Sequence, residues 1–358
     1  MEINKQRINK ILIINLGGIG DMIVSIPFLR GLRKKYDKSK IVLLTISNSY
    51  RIINNLGYID KAILMDYKTR DARTFNIKII KQLMFVLSLR KEKFDMIINL
   101  RPLTNHMAAL KMALIFYLIG GKYWIGRDSE GLGFFYNIKI PEKRNFKKHE
   151  IDYHKELAER LAINVNDDAR IKFEKKNIIF ANKFLKRNKI RKKDKLVMVN
   201  AESAMPIKIW PEYIYMQLMR ELNKKINWKI IVITYKNIKT EEKIKEQFKN
   251  IIILNDKNIK NVASVIKRAN VFITIDSGPM HIAASFNIPI VSIHGPIDPY
   301  LTGPNISKNK YIIIYNKVDC SPCNRIKCNS MKCMKNIKTK EIISAAEELL
   351  KYGVKKTR

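Results

Sequence analysis

At 358 residues the chain exceeds the size at which one core usually stops growing, and its 46% hydrophobic content supplies apolar surface for two ordinary domains. Sixty-nine Lys and Arg against 32 Asp and Glu give a formal charge of +37, which attracts nucleic acid, anionic lipid or a phosphorylated substrate. The longest apolar run, Met107 to Gly121, is interrupted by Lys111 and is too short for an ordinary spanning helix, so any membrane contact is expected to be peripheral.

The basic start leads after a short apolar run into a glycine turn, with no secretory signal, and a cytoplasmic protein is expected. From there, β-rich apolar runs alternate with amphipathic helical patterns, the signature of βαβ units on a parallel sheet. Strands are expected at Ile11–Asn15, Ile41–Thr45, Ala62–Met65, Asp95–Asn99 and Tyr123–Ile125, and helices at Asp21–Tyr36 and Phe75–Arg90. The amphipathic segment His149 to Leu161 closes this half. A polar, basic stretch follows and reads as a linker region with one helix, whose apolar face is Ile178, Ile179, Phe180 and Phe184. The alternation then restarts with strands at Leu196–Asn200, Lys229–Thr234, Ile251–Leu254, Val271–Ile275, Ile290–Ile293 and Tyr311–Tyr315. Helices are expected at Pro211–Asn223, Glu241–Phe248, Ile259–Ala269, Pro279–Phe286 and Thr339 to Tyr352. The resulting division is a Rossmann-like domain over 1–165, a basic linker region over 166–194, a second Rossmann-like domain over 195–338, and a C-terminal helix over 339–358 that packs back on the first domain.

Two strand-to-helix turns carry the chemistry. In the first, Leu12-Ile13-Ile14 runs into Gly17-Gly18-Ile19-Gly20-Asp21. A dinucleotide fingerprint would need a glycine or alanine where Ile23 stands, which disfavours a nicotinamide dehydrogenase. Asp21, in the first turn of a helix, either complements the helix dipole or accepts a proton from a hydroxyl nucleophile. In the second, Val271-Phe272-Ile273-Thr274-Ile275 runs into Asp276-Ser277-Gly278-Pro279-Met280-His281. The N–H groups at such a helix start, with the positive end of its dipole, suit a diphosphate. Between the two turns, Ser203-Ala204-Met205-Pro206-Ile207-Lys208-Ile209-Trp210-Pro211 follows a strand and precedes a helix. It places Lys208 at the strand-end face that also carries Asp276, where a fixed lysine neutralises phosphate. The four cysteines, Cys320, Cys323, Cys328 and Cys333, form a C-x2-C-x4-C-x4-C cluster, compatible with a zinc or iron–sulfur site, a redox pair or packed free thiols.

Taken together, Ile11 to Asp21 with Pro27 and Leu29, Lys208-Ile209-Trp210-Pro211, and Asp276 to Ala284 resemble glycosyltransferase family 9, the lipopolysaccharide heptosyltransferases. Gly295-Pro296-Ile297-Asp298-Pro299, Gly303-Pro304 and Cys320-Ser321-Pro322-Cys323 leading to Cys333-Met334 add to the resemblance, as do, more weakly, Ile125-Gly126-Arg127 and His149-Glu150. The match runs in order along nearly the whole chain. It implies a GT-B architecture of two Rossmann-like domains with parallel sheets facing across an interdomain cleft, the N-terminal one for the acceptor and the C-terminal one for the nucleotide sugar. It also implies an inverting transfer that needs no bound metal or cofactor, with Asp21 as general base and Lys208 neutralising the departing diphosphate. The donor contacts expected are Gly17, Gly18, Gly20, Ser203, Ala204, Asp276, Ser277, Gly278, His281 and Glu241.

Departures lie at Asn200-Ala201-Glu202-Ser203, where small residues are usual and Glu202 brings a negative charge, and at Tyr235-Lys236-Asn237, which lacks the usual glycines. The implied donor is ADP-heptose and the implied acceptor an anionic, lipid-linked glycan at the cytoplasmic face of the inner membrane. Another nucleotide sugar is the alternative within the class. A non-catalytic protein binding anionic surfaces or nucleic acid is the rival from another class, and it lacks a recognised nucleic-acid module.

Overall fold

The structure, a computed structural model, describes residues 8–65, 75–143, 148–235, 238–323, 325 and 327–354. It divides into two compact units, Met1–Ala169 and Arg170–Arg358.

The first unit is one parallel sheet wrapped by helices. Its elements in chain order are β1 (Lys10–Asn15), α1 (Ile19–Lys35), β2 (Lys40–Thr45), α2 (Ser47–Ile53), β3 (Lys61–Leu64) and α3 (Phe75–Ser88). Then come β4 (Met96–Asn99), α4 (His106–Ile119), β5 (Tyr123–Ser129), β6 (Ile138–Glu142) and α5 (Glu150–Arg160). The strand order is β3-β2-β1-β4-β5-β6. Ile11 pairs with Ile41 on one side and Met96 on the other, so β1 is central. Every residue of β1 after Lys10 is buried, as expected of a strand covered on both faces, where an unbroken apolar run replaces alternation. On one face of the sheet Leu12, Ile14, Val42, Leu44 and Ile97 pack with Val86 of α3 and with Ala109, Phe116 and Ile119 of α4.

The second unit repeats the plan. It contains α6 (Lys175–Arg187), β7 (Lys195–Asn200), α7 (Glu212–Asn223), β8 (Trp228–Ile233), α8 (Ile238–Gln247), β9 (Ile251–Leu254), α9 (Ile259–Ile266) and β10 (Val271–Ile275). It continues through α10 (Gly278–Ser285), β11 (Ile290–His294), α11 (Pro299–Thr302), β12 (Tyr311–Tyr315), α12 (Lys332–Lys335) and α13 (Thr339–Val354). The order β12-β11-β10-β7-β8-β9, read from its other edge, is that of the first unit. In both sheets the order reverses between the first and fourth strands, and the carboxyl ends of those two strands flank the crevice where α/β sheets bind ligands.

Several elements depart from expectation, and four of them bear on the fold. β6 carries Pro141 and is an edge strand, where a missing N–H is tolerated; its alternating burial over five residues is too brief to stand out in sequence. α4 is apolar on nearly all sides, so it has no helical contrast to read. The helix in the basic stretch, α6, packs on α9 in the second unit: Asn177 donates to Asn261 (2.9 Å), and the Ser264 hydroxyl donates to the Asn177 carbonyl (2.9 Å). The C-terminal helix, expected to return to the first domain, instead buries Ile342, Ala346 and Leu349 in the core of the second unit with Leu218 and Leu222 of α7. Its apolar stripe finds the nearest exposed sheet face, that of β10 to β12.

Candidate active site

In the first unit the site grows from two asparagines that end neighbouring strands. Asn15, at the end of β1, accepts from the Gly17 N–H (3.1 Å); Asn99, at the end of β4, accepts from the Arg101 N–H (3.1 Å) and donates to the Arg101 carbonyl (2.9 Å). Each side chain replaces a missing ladder partner and turns the chain sharply out of the sheet. The β1 turn then enters α1 with Gly18 as N-cap. Asp21 lies in the first turn of α1 and accepts from the Gly18 N–H (2.7 Å), filling a role a capping-box carboxylate plays. Its other oxygen is ion-paired with Arg101. Gly17 is required by this closeness, since a Cβ there would come within 2.5 Å of the Asp21 side chain. Asp21 and Arg101 are both about a third exposed, so the pair faces solvent at the β1/β4 crevice. Gly20 sits in the same first turn.

The weaker motif positions have a different job. Arg127 is fully buried, donates to both Glu142 oxygens (3.0 and 2.6 Å) and to Glu150 (2.6 Å), and stacks 3.9 Å from the Tyr153 ring. Burial pushes the Glu150 carboxyl up, but Arg127 and Arg101 outweigh it and hold the group below its ordinary range. This cluster pins β5, β6 and α5 together beside Arg101.

In the second unit the equivalent crevice, between β7 and β10, assembles Lys208 and Asp276. Asp276 directly follows β10 and is 5% exposed; Lys208 reaches it from the loop after β7 at 2.6 Å, and Thr302 donates a hydroxyl hydrogen bond at 3.2 Å. Burial raises the Asp276 carboxyl, yet Lys208, His294 and His281 outweigh it and keep the group ionised below its usual range. A small pocket lined by Lys208, Asp276, Gly295, Pro296, Ile297 and Met334 opens here. Ser277 is the N-cap of α10 but makes no side-chain cap; its hydroxyl donates to the Ile275 carbonyl (3.1 Å) and accepts from Asn200 (3.0 Å). Pro279 has no N–H and the Met280 N–H donates to the Ser277 carbonyl (3.1 Å), so the Gly278 N–H is the first-turn donor that the cap side chain leaves for an anion. Asn200 Oδ1 and His294 Nδ1 are buried polar atoms without a hydrogen-bond partner among the described residues.

Of the other expected donor residues, Ser203 is buried and accepts from the Met205 N–H (3.2 Å), Ala204 is exposed on the same loop, and His281 is buried in α10. Glu241 stands apart from Lys208 and Asp276. Its carboxylate accepts from Thr234 (2.8 Å), Asn255 (2.7 Å) and Lys245 (2.6 Å), tying α8 to the carboxyl ends of β8 and β9. Glu202 accepts from the Tyr235 N–H (3.2 Å); positions 236 and 237 of that turn lie outside the described residues. Sequence reasoning did not single out Arg101, His294 or Thr302. The Gly295-Pro296-Ile297-Asp298-Pro299 and Gly303-Pro304 motifs, which flank Thr302, point to that region.

The four cysteines are free thiols, with Cys320 exposed and Cys333 buried. Among the described residues no group of three or more His, Cys, Asp or Glu is arranged to hold a metal ion. The segment's visible role is mechanical: Cys333 and Met334 join the core, and the Trp210 indole donates to the Met334 carbonyl (3.0 Å), bracing the loop that carries Lys208.

The sequence profile of glycosyltransferase family 9 (heptosyltransferase) matches residues 83–334. The chain belongs to glycosyltransferase family 9. Membership makes this family 9 chain a glycosyltransferase. It is 35% identical over 101 residues to lipooligosaccharide heptosyltransferase 2 of Campylobacter jejuni, a stretch that spans 28% of the chain and 31% of that relative. It is 23% identical over 363 residues to lipopolysaccharide heptosyltransferase 1 of Campylobacter coli, covering 95% and 98% of the two chains. Among solved structures it resembles a family 9 glycosyltransferase from Veillonella parvula (TM-score 0.73, 24% identity, 96% and 97% covered). It also resembles E. coli ADP-heptose lipopolysaccharide heptosyltransferase II (TM-score 0.69, 18% identity, 95% and 98% covered). These likenesses bear out the expected fold class, GT-B with two parallel Rossmann-like sheets.

Proposed function

We propose that this family 9 member transfers heptose from an ADP-activated donor to a lipopolysaccharide core precursor or related glycan, with inversion at the anomeric carbon. The observation that carries the reading is the Lys208–Asp276 pair beside a helix start whose N-cap side chain makes no cap, at the crevice of the second sheet. A half-buried lysine held in place by a carboxylate is preorganised to meet the charge that grows on a departing diphosphate, and the helix start adds the Gly278 N–H. The names of the relatives, heptosyltransferases of lipopolysaccharide and lipooligosaccharide, support the sugar and the acceptor class.

In this reading Asp21 takes the proton from the acceptor hydroxyl as that oxygen attacks the anomeric carbon and the C–O bond to the diphosphate breaks. Gly17, Gly18 and Gly20 leave room for reactants around Asp21. Arg101 orients the carboxylate through their ion pair until an anionic acceptor group draws the guanidinium away. Ser203, Ala204, Ser277, Gly278 and His281 line the diphosphate side, and Glu241 stands at the strand ends where the nucleoside is read. The protein works at the cytoplasmic face of the inner membrane, on a lipid-linked substrate, with no resident cofactor.

The test is thermal stability with saturating ADP, UDP, GDP or CMP. Ligand at about 100 times its Kd adds roughly 2.7 kcal/mol to the native state. Selective stabilisation by ADP is expected; selectivity for another nucleotide changes the donor, and no response to any of the four overturns the reading. Asp21→Asn should then lose about 10²- to 10⁴-fold in turnover, the usual span for a general base, with ADP binding unchanged.

A further inference from the structure

Among the described residues, the first unit carries two helices whose outer faces are apolar and exposed. On α4, Met107, Leu110, Leu114 and Tyr117 are 46% to 68% exposed and recur at helical spacing along one stripe, opposite Ala109, Phe116 and Ile119, which are buried in the core. On α3, Leu83, Met84 and Leu87 are 40% to 65% exposed, while Val86 is buried. The two helices pack against each other and bury their inner sides in the same cluster over the same sheet face. Their exposed stripes therefore lie on the outside of one helix layer. An apolar surface of that extent on a soluble domain marks a contact site.

Charge says what the contact is. Neither α3 nor α4 contains an Asp or Glu, while Lys81 and Lys111 stand exposed on the helices and Arg90 and Lys122 just beyond their C-terminal ends, in a chain of net charge +37. An apolar stripe edged with lysines, on helices too short to cross a bilayer, is the pattern of a helix lying in the plane of a membrane interface. Anionic headgroups supply the counter-charge for these basic residues.

We infer that the outer face of α3 and α4 seats the first unit on an anionic lipid surface. The loop that presents Arg101 to Asp21 runs directly into α4, so docking brings the crevice of the first sheet to the headgroup region, where a lipid-linked acceptor resides. This deepens the acceptor side of the proposed function, but the surface argument stands without any sugar transfer.

The experiment is co-sedimentation of the full chain with vesicles of phosphatidylglycerol and phosphatidylcholine, and with phosphatidylcholine alone. Partitioning is expected to the anionic vesicles and to weaken with salt. It should fall at least about tenfold in Leu110→Glu/Leu114→Glu and in Met84→Glu/Leu87→Glu, with melting temperature and ADP stabilisation retained. Lys81→Gln/Lys111→Gln, which leaves the apolar face intact, should lose binding in part and become less sensitive to salt. Equal partitioning of wild type to both vesicle types, or unchanged partitioning of the Glu variants, overturns the proposal. So does a wild-type dimer that the Glu variants dissociate, since a second copy would then cover this face. A chain that binds anionic vesicles yet responds to no nucleotide overturns the proposed transferase reading and leaves this surface intact.

Discussion

Lys208 and Asp276 oppose their charges where water is largely excluded, so each depends on the other. Removing one partner of such a pair leaves an uncompensated charge and costs about 3–5 kcal/mol. Asp276→Asn should therefore destabilise the second unit by that amount at neutral pH in urea titration. The native carboxyl sits below its unfolded value, which is near 4. Its contribution is thus complete above about pH 4 and lost as pH falls through the native value. The gap between wild type and variant should stay constant from pH 8 to pH 5 and close in stronger acid. Gly17→Ala is the counterpart in the first unit: the new Cβ displaces Asp21, so kcat should fall roughly 10²-fold, because a small misplacement of a reacting group is that costly. Asp21, Lys208 and Asp276 were legible because each lies in a glycine- or proline-marked turn after an apolar strand. Arg101 was not, because it meets Asp21 only through the pairing of β1 with β4, across 80 residues of chain.

Elements with clean periodicity were legible and those without it were not. The buried strands β1, β2, β7 and β10 read as unbroken apolar runs, and their ends moved by only a residue between expectation and structure. α4 escaped because an apolar helix with an exposed apolar face gives no contrast between its sides. The cysteine-rich segment is compatible in sequence with a metal site, a redox pair or packed free thiols, and in the fold its end braces the loop of Lys208 through Trp210. Trp210→Phe keeps the packing but leaves the Met334 carbonyl unpaired, at a cost of about 1–3 kcal/mol. The braced loop should then loosen, and calorimetric titration should show ADP binding weakened severalfold while Asp21-side properties stay as they are.

At the scale of the molecule, each unit has its own sheet and core, so heating is expected to give two transitions rather than one. ADP should raise the transition of the second unit and leave that of the first in place; differential scanning calorimetry with and without nucleotide distinguishes the two. By itself the sequence determined the two-domain α/β plan, the strand-end turns and the basic surface, because these follow from hydrophobic period, turn chemistry and charge, all local along the chain. Only the tertiary structure decided the docking of α6 and α13 on the second unit, the partners of Asp21 and Glu241, and the exposed face of α3 and α4. Those depend on which surfaces are left open once the sheets have formed, and nothing local in the chain records that.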